Sequence, residues 1–417
     1  MINIVKGMKD ILPQDSYKWQ YVENRFKEAA ASYGYKEIRT PLLEHTDLFK
    51  RGIGDTTDVV NKEMYTFEIS DRSLSLKPEG TASAVRSFIE NKLYADIVPS
   101  KMYYITSCYR YEKMQKGRQR EFHQFGLEVF GSEKMTADAE VITFADTFLK
   151  SLGIKDLELR INSIGCPKCR SKYRKALQDY FRPKFDDLCD TCKERFEKNP
   201  MRILDCKNPD CKEIAKGAPS ILDYLCDNCR SDFEELKKDL SVSGIEYVVD
   251  PGIVRGLDYY TKTAFEFVTN RLGAQGTVCG GGRYDLLVSD LGGPQTPAVG
   301  FGLGIERLLL LMEEENIEIP KPKECDLFIA AIGENARYEA MKLANEMRKD
   351  GINVIIDVCE RSLKAQLKYA DRLGAEYCAV IGDDELAKNV AALRNMKDSK
   401  QEEIALDKLA DAVRQVK

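Results

Sequence analysis

The chain has 417 residues, 43% hydrophobic and 31% charged, with a formal net charge of -5. That length suits two to three domains, and the charge balance excludes a global basic field, so any nucleic-acid partner must be met through local patches. No apolar run approaches the roughly 20 residues of a membrane span, and the opening MINIVKGMKDILP lacks a charged-then-apolar leader pattern, so a soluble, cytoplasmic protein is expected.

In chain order, the apolar spacing predicts an amphipathic helix near Ser16–Tyr33 and strands near Lys36–Arg39 and Tyr103–Tyr111. Phe122–Phe130 reads as a further strand, antiparallel to the one ending at Tyr111 and joined to it by a long loop. On it His123, Phe125, Leu127 and Val129 share one mostly apolar face, and Gln124, Gly126 and Glu128 share the other. Arg110 and Glu112 fall together on the first strand. Such a polar face has no stabilising motive, because unpaired buried charge is costly, and it reads as a substrate floor. The loop carries Lys113, Lys116, Arg118 and Arg120, a density suited to polyphosphate. His123, on the apolar side, is expected to pack rather than to act as a base.

After this mixed α/β region, residues 1–163, comes a charged, cysteine-rich and mainly helical segment, 164–241, that reads as an insertion. Eight of the 13 cysteines form close pairs there: Cys166/Cys169, Cys189/Cys192, Cys206/Cys211 and Cys226/Cys229. They resemble zinc knuckles, and two four-cysteine sites would use all eight; free thiols and redox or iron–sulfur chemistry are the alternatives. A reducing compartment makes disulfides the poorer explanation. Lys168, Arg170, Lys172, Arg174 and Lys175 beside the first pair suit either a solvated helix or phosphate contacts.

Residues 242–320 return to strands, glycines and one closing helix. Arg255-Gly256-Leu257-Asp258-Tyr259-Tyr260 precedes a strand at Thr263–Thr269, and the glycine-rich Gly276–Asp285 follows it. Gly300–Ile305 then leads into Glu306–Met312, with Arg307 at the helix start and Leu308, Leu311 and Met312 on its buried stripe. Glycines there let a ligand lie against bare backbone, although a glycine run is most often a turn and this one lacks the ending of a P-loop. Ile317–Lys323 is a proline-stiffened linker. Beyond it, apolar runs at Leu327–Ile332, Val354–Val358 and Tyr377–Ile381 alternate with helical patterns, which predicts a small parallel-sheet domain over 324–417.

Taken together, the helix and strand ending at Pro41, the Arg110 strand-loop-strand and the Gly-Arg helix at Arg307 resemble the three signature motifs of class II aminoacyl-tRNA synthetases. Arg255–Tyr260 and Gly280–Asp285 resemble the histidyl-tRNA synthetases in particular, and Lys77–Ala82 and Gly117–Gln124 fit the same family. The resemblance implies an α+β fold: an antiparallel six-stranded sheet flanked by helices, a helical insertion, and a C-terminal α/β anticodon-binding domain. It implies a homodimer, and attachment of L-histidine to tRNA through an adenylate made from ATP with Mg2+. By the same resemblance Arg110 and Arg255 clamp the α-phosphate, Arg118 and Arg307 hold the β- and γ-phosphates, and Glu112 meets the adenine amino group. Glu79, Gly80, Thr81 and Gln124 surround the α-amino group, with Glu128, Tyr259 and Tyr260 at the imidazole. Up to two Zn2+ ions in the eight paired cysteines rest on spacing alone.

The rival reading is a non-catalytic histidine-sensing regulatory subunit of ATP phosphoribosyltransferase. Such paralogues lose the phosphate arginines and the last domain, whereas Arg110, Arg118, Arg255 and Arg307 all stand here. Two further expectations follow from placing the adenylation site outside the insertion. Removing Cys166 and Cys169 should spare adenylation, and removing Arg255 should cost activity with little change in stability.

Overall fold

Pro13 opens α1 (Pro13–Ser32), where its missing N–H is no loss, and Asp15 faces the positive end of the helix. Val22, Phe26 and Ala30 recur at four-residue intervals and are fully buried. The computed structural model describes residues 2–54, 57–272 and 276–414. Its contacts divide the chain into two units, Met1–Ile319 and Pro320–Lys417. Among the described residues no helix is long and apolar enough to cross a membrane.

In the first unit, α1 is followed by β1 (Lys36–Glu37), β2 (Leu43–His45), α2 (Thr46–Ile53), β3 (Thr66–Ile69), β4 (Arg72–Leu76) and α3 (Thr81–Glu90). Then come β5 (Ser100–Tyr109), β6 (Glu121–Phe130), α4 (Met135–Ser151) and β7 (Glu158–Ser163). A helical segment comprises α5 (Pro167–Phe181), α6 (Asp190–Lys198), α7 (Pro209–Ala215) and α8 (Asp227–Val242). The unit closes with β8 (Val248–Val249), β9 (Thr261–Val268), β10 (Thr277–Arg283), α9 (Leu287–Asp290), β11 (Ala298–Gly304) and α10 (Ile305–Glu314).

One sheet carries eight strands in the order β1-β5-β6-β11-β10-β9-β7-β8. The inner six pair antiparallel throughout. The two outer strands, β1 and β8, are two-residue parallel ribbons at opposite edges; β1 falls within the strand expected near Lys36–Arg39 but is shorter, and β8 is too short to show as periodicity in the sequence. A separate three-stranded sheet has the order β2-β4-β3. One face of the large sheet is apolar and packs under α1 and α4, with Phe26 stacked on Phe125 at 4.3 Å and edge-on to Phe148 at 5.1 Å. Phe125, Leu127 and Val129 of β6 join Val299, Phe301 and Leu303 of β11 in this core.

The α5–α8 segment does not stand apart. Cys169, Tyr173, Leu177 and Phe181 of α5 share one continuous core with Tyr259, Tyr260 and Tyr284, and with Val85 and Phe88 of α3.

The second unit contains β12 (Leu327–Ala331), α11 (Glu334–Lys349), β13 (Val354–Ile356), α12 (Leu363–Arg372), β14 (Tyr377–Ile381), α13 (Asp383–Ala387), β15 (Val390–Asn395), β16 (Gln401–Ala405) and α14 (Leu409–Arg414). The three expected apolar runs are parallel neighbours, β13-β12-β14. The sheet is nonetheless mixed, since β15 and β16 add antiparallel strands at one edge. Charged residues such as Arg394, Glu402 and Glu403 interrupt their apolar pattern and hid them from a reading by periodicity.

Candidate functional site

The register of the large sheet brings glycines of three neighbouring strands into one row. Gly126 of β6 opposes Gly302 of β11, Gly302 opposes Gly280 of β10, and Gly280 opposes Glu266 of β9. In the next row of the same face, Glu128 opposes Gly300 and Gly300 opposes Gly282. The glycine run of β10 is therefore a central strand and not a turn. Most of these glycines make room for a side chain lying across them. A Cβ on Gly126 would fall inside the Tyr104 ring, one on Gly300 would fall on the Glu128 carboxylate, and one on Gly280 would sit 2.6 Å from the Arg255 guanidinium. Gly302 and Gly304 are different, because a Cβ there would come no closer than 3.5 Å to Gln124 and 3.8 Å to Arg307. They leave a strip of bare backbone on the polar face of the sheet.

At one border of the strip lies Glu128, wholly buried. Its Oε1 accepts hydrogen bonds from Thr81 Oγ1 at 2.8 Å and the Tyr104 hydroxyl at 3.1 Å, and its Oε2 accepts one from Tyr284. Burial pushes the Glu128 carboxyl up to about 8, against the pull of those donors. Nearby, Glu79 accepts the backbone N–H groups of Thr81 at 2.8 Å and Ala82 at 2.7 Å, so it caps the positive end of α3. Gly80 donates its N–H to Gln124 Oε1 at 3.2 Å. Tyr259 and Tyr260 are buried with ring centres 4.6 Å apart, and Tyr259 lies edge-on to Tyr284 at 5.5 Å.

A cationic group lies at the other end. Arg118 donates to Glu112 at 3.0 Å, and Arg307 donates Nε to the Thr277 carbonyl at 2.9 Å. Burial first, and the Arg118 charge second, lower Arg307 to about 10. Two guanidiniums gathered beside the Glu112 carboxylate suit a polyanionic ligand. Arg110 donates Nε to the Pro78 carbonyl at 2.8 Å and lies 5.3 Å from the Phe122 ring centre. The strand ends at Tyr109, so Arg110 and Glu112 stand in the loop rather than on β5. The Arg110 N–H still meets the Arg120 carbonyl at 2.8 Å, but the Tyr111 N–H turns away to the Glu63 carbonyl at 2.7 Å, which ends the pairing.

Arg255 makes a half-buried ion pair with Glu266, which also accepts the Thr277 hydroxyl at 2.8 Å. Burial, the largest single influence, disfavours the Arg255 charge, but the Glu266 carboxylate together with Tyr260 and Tyr259 raises the pKa on balance. Arg255 Nε has no hydrogen-bond partner among the described residues. His123 packs edge-on against Trp19 at 4.9 Å and bonds Glu306 through Nδ1 at 2.8 Å.

The cysteine pairs gather into two groups: Cys166, Cys169, Cys226 and Cys229 in one, and Cys189, Cys192, Cys206 and Cys211 in the other. Within each, the sulfur atoms lie within 4.8 Å of one another, and none is in a disulfide.

Three residues at the site escaped the sequence reading. Tyr104 had a signal in Gly126, the glycine its ring needs opposite it. Tyr284 lies inside the Gly280–Asp285 string. Glu266 is the lone carboxylate of its strand, set between Phe265 and Phe267.

Comparison with known proteins places these features in context. Residues 7–308 match the family model described as histidyl-tRNA synthetase, and residues 326–416 match the anticodon binding domain. A relative from Clostridium perfringens named histidine–tRNA ligase is 58% identical over 408 residues, 97% of this chain and 97% of its own length. Another of that name, from Caldanaerobacter subterraneus subsp. tengcongensis, is 58% identical over 410 residues, 98% of each chain. The crystal structure of apo S. aureus histidyl-tRNA synthetase superposes with a TM-score of 0.85 at 43% identity, covering 99% of this chain and 100% of that one.

Proposed function

The chain belongs to the histidyl-tRNA synthetase family, and we infer from the site geometry that it activates L-histidine with ATP and transfers it to tRNA. A histidine carboxylate oxygen bonds to the α-phosphorus of ATP as the bond to the pyrophosphate oxygen breaks. A terminal ribose hydroxyl of tRNA then attacks the acyl carbon, releasing AMP. The observation that carries this reading is the bare Gly302–Gly304 strip, bordered by Glu128 with its tyrosines and by arginines.

In this reading the imidazole lies between Glu128 and the Tyr259–Tyr260 pair, which offer a proton acceptor and donor to its two ring nitrogens. Glu79, Gly80, Thr81 and Gln124 flank the α-amino group; Glu79 keeps lone pairs beyond the two it gives to α3. Arg110 and Arg255 grip the α-phosphate, and the partnerless Nε of Arg255 leaves it capacity for that contact. Arg118 and Arg307 take the β- and γ-phosphates with Mg2+, which arrives as part of the substrate complex. Glu112, held by Arg118, faces the adenine amino group. The regulatory-subunit alternative is set aside, because the full-length relatives are ligases and every phosphate arginine is present.

The same reading makes the chain a cytoplasmic homodimer whose second unit meets the anticodon. Exposed Leu42 and Leu43, both 43% exposed and next to the Pro41 motif, support a two-fold interface on that side. The two cysteine groups are proposed as structural zinc sites. Pyrophosphate exchange into ATP across a panel of amino acids tests the activity. Histidine alone is expected to support it; exchange with proline or threonine, or none with histidine, overturns the reading.

A further inference from the structure

Each cysteine group ties together segments far apart in the chain. The Cys166–Cys169 and Cys166–Cys226 sulfurs are 3.6 and 4.0 Å apart, and the Cys189–Cys206 sulfurs 3.8 Å. Four thiolates at about 2.3 Å from one zinc ion stand about 3.8 Å from each other. In three of the four pairs the first cysteine caps a helix and the second lies in its first turn: Cys166 on α5, Cys189 on α6 and Cys226 on α8. Helix N-termini favour the thiolate a metal needs. Backbone N–H groups also reach the sulfurs, from Cys226 to Cys169 at 3.1 Å and from Cys189 to Cys211 at 3.3 Å.

The same segments hold the Arg255 loop. Arg202, between Cys192 and Cys206, donates Nη1 to the Arg255 carbonyl at 2.7 Å. Asn199 donates to Asp258 at 3.1 Å, and Arg170, directly after Cys169, donates to the Tyr260 carbonyl at 3.1 Å. The backbone of Lys262 and Gly165 adds a bond at 3.0 Å beside the first cysteine group. A cleft of about 340 Å³ between the two is lined by Arg170, Asn199, Arg202, Arg255, Asp258 and Tyr260. Asn199 directly follows α6, which has only 9 residues, and Arg202 lies in the single turn Pro200–Ile203, so a staple beside them would help to hold both in place.

We propose that two zinc ions, one in each cysteine group, make the α5–α8 segment a brace that fixes the backbone of Arg255–Tyr260, with Arg202, Asn199 and Arg170 as positioning residues. Metal occupancy then governs how well Arg255 and Tyr260 are aimed. The catalytic consequence rests on the histidine-activation reading above; the brace itself does not. This reverses the expectation that the cysteines would be irrelevant to adenylation, since the adenylation site is partly built by the segment that carries them.

The test uses the full chain purified without chelators. Metal analysis is expected to give about two zinc per chain, and about one after Cys206→Ser; less than about 0.2 in the wild type overturns the metal assignment. Hydrogen exchange then reads the brace without reference to activity. Chelation, and separately Arg202→Ala, should speed amide exchange in a peptide covering residues 253–260 about tenfold while β6 stays protected. Unchanged exchange in both overturns the brace. In pyrophosphate exchange, Arg202→Ala should lower kcat with histidine about tenfold, with little change in KM for ATP and an unchanged melting temperature, and Arg202→Lys should recover part of the loss. Wild-type kcat in Arg202→Ala rejects the link to catalysis even where the exchange data support the brace. A wild-type enzyme inactive with histidine sinks the functional reading, while metal and exchange data still decide the brace.

Discussion

Tyr284 donates its phenolic proton to Glu128, whose carboxylate occupies the space that the missing side chain of Gly300 leaves open. With Thr81 and Tyr104 on the other oxygen, the carboxylate is held by three hydroxyls and shielded from water. Its orientation is fixed before any ligand arrives, which is how a site recognises a small heterocycle at low entropic cost.

Glu128→Gln keeps the shape and replaces one carboxyl oxygen by an amide NH2, which cannot accept a hydrogen bond. It is expected to lower kcat/KM for histidine in pyrophosphate exchange by roughly tenfold, the worth of a hydrogen bond of about 1.5 kcal/mol. Steady-state exchange checks it; an unaltered kcat/KM for histidine rejects the assigned contact.

The same variant carries a stability test. Folded Glu128 keeps its proton up to about 8, whereas the unfolded carboxyl loses it near 4.5, so the folded state binds more protons between those values. The stability this contributes is complete below the lower value and is lost as pH rises through the upper one. The melting temperature of Glu128→Gln relative to wild type should therefore be higher at about pH 9 than at about pH 5. A pH-independent difference counts against a neutral buried acid.

Two glycine substitutions should separate folding from binding. Gly126→Ala drives a methyl into the Tyr104 ring and is expected to destabilise the protein by about 1–3 kcal/mol, measured by denaturant unfolding. Gly302→Ala meets nothing nearer than 3.5 Å and should fold normally, yet raise KM for histidine or ATP by narrowing the bare strip. Unchanged kinetics for Gly302→Ala would show that no substrate lies there.

Arg255→Ala is expected to slow histidine-dependent exchange by roughly a hundred- to a thousandfold, about 3–4 kcal/mol of transition-state contact. It also strands the Glu266 carboxylate, so a loss of stability is expected as well. Adding Glu266→Gln should restore the melting temperature without restoring turnover. Recovery of both would assign Arg255 a purely structural part.

For assembly, light scattering at micromolar concentration should give twice the chain mass of 47.3 kDa. Replacing Leu42 and Leu43 by aspartate should shift the particle toward the monomer. A wild-type monomer contradicts the two-fold interface.

The polar face of β6 was legible in the sequence because alternation of Phe125, Leu127 and Val129 with Gln124, Gly126 and Glu128 is strict. The end of β5 was not, since a strand can lose its partner while its pattern continues. Glu79 looked from its type like a ligand group, and only the fold reveals that both its oxygens already cap α3. The partition of the cysteines was hidden for a related reason. First pairs with last and second with third, an arrangement of chain crossings that spacing does not encode. The Arg202 contact with Arg255 joins residues 53 positions apart through a main-chain carbonyl, which leaves no trace in side-chain pattern.

The row of glycines has a consequence for how the sheet stays folded. Strand positions without side chains contribute no packing and carry an entropic penalty of roughly 0.5–1 kcal/mol each relative to alanine. At Gly302 and Gly304 the sheet is therefore packed from one side, by the aromatic cluster around Phe26, Phe125, Phe148 and Phe301. A defect in that cluster can be compensated from the opposite surface there only by bulk that fills the bare strip. Random mutagenesis selected only for solubility should accumulate larger residues at Gly302 and Gly304 and, in doing so, drift toward a sturdier protein with an occluded surface.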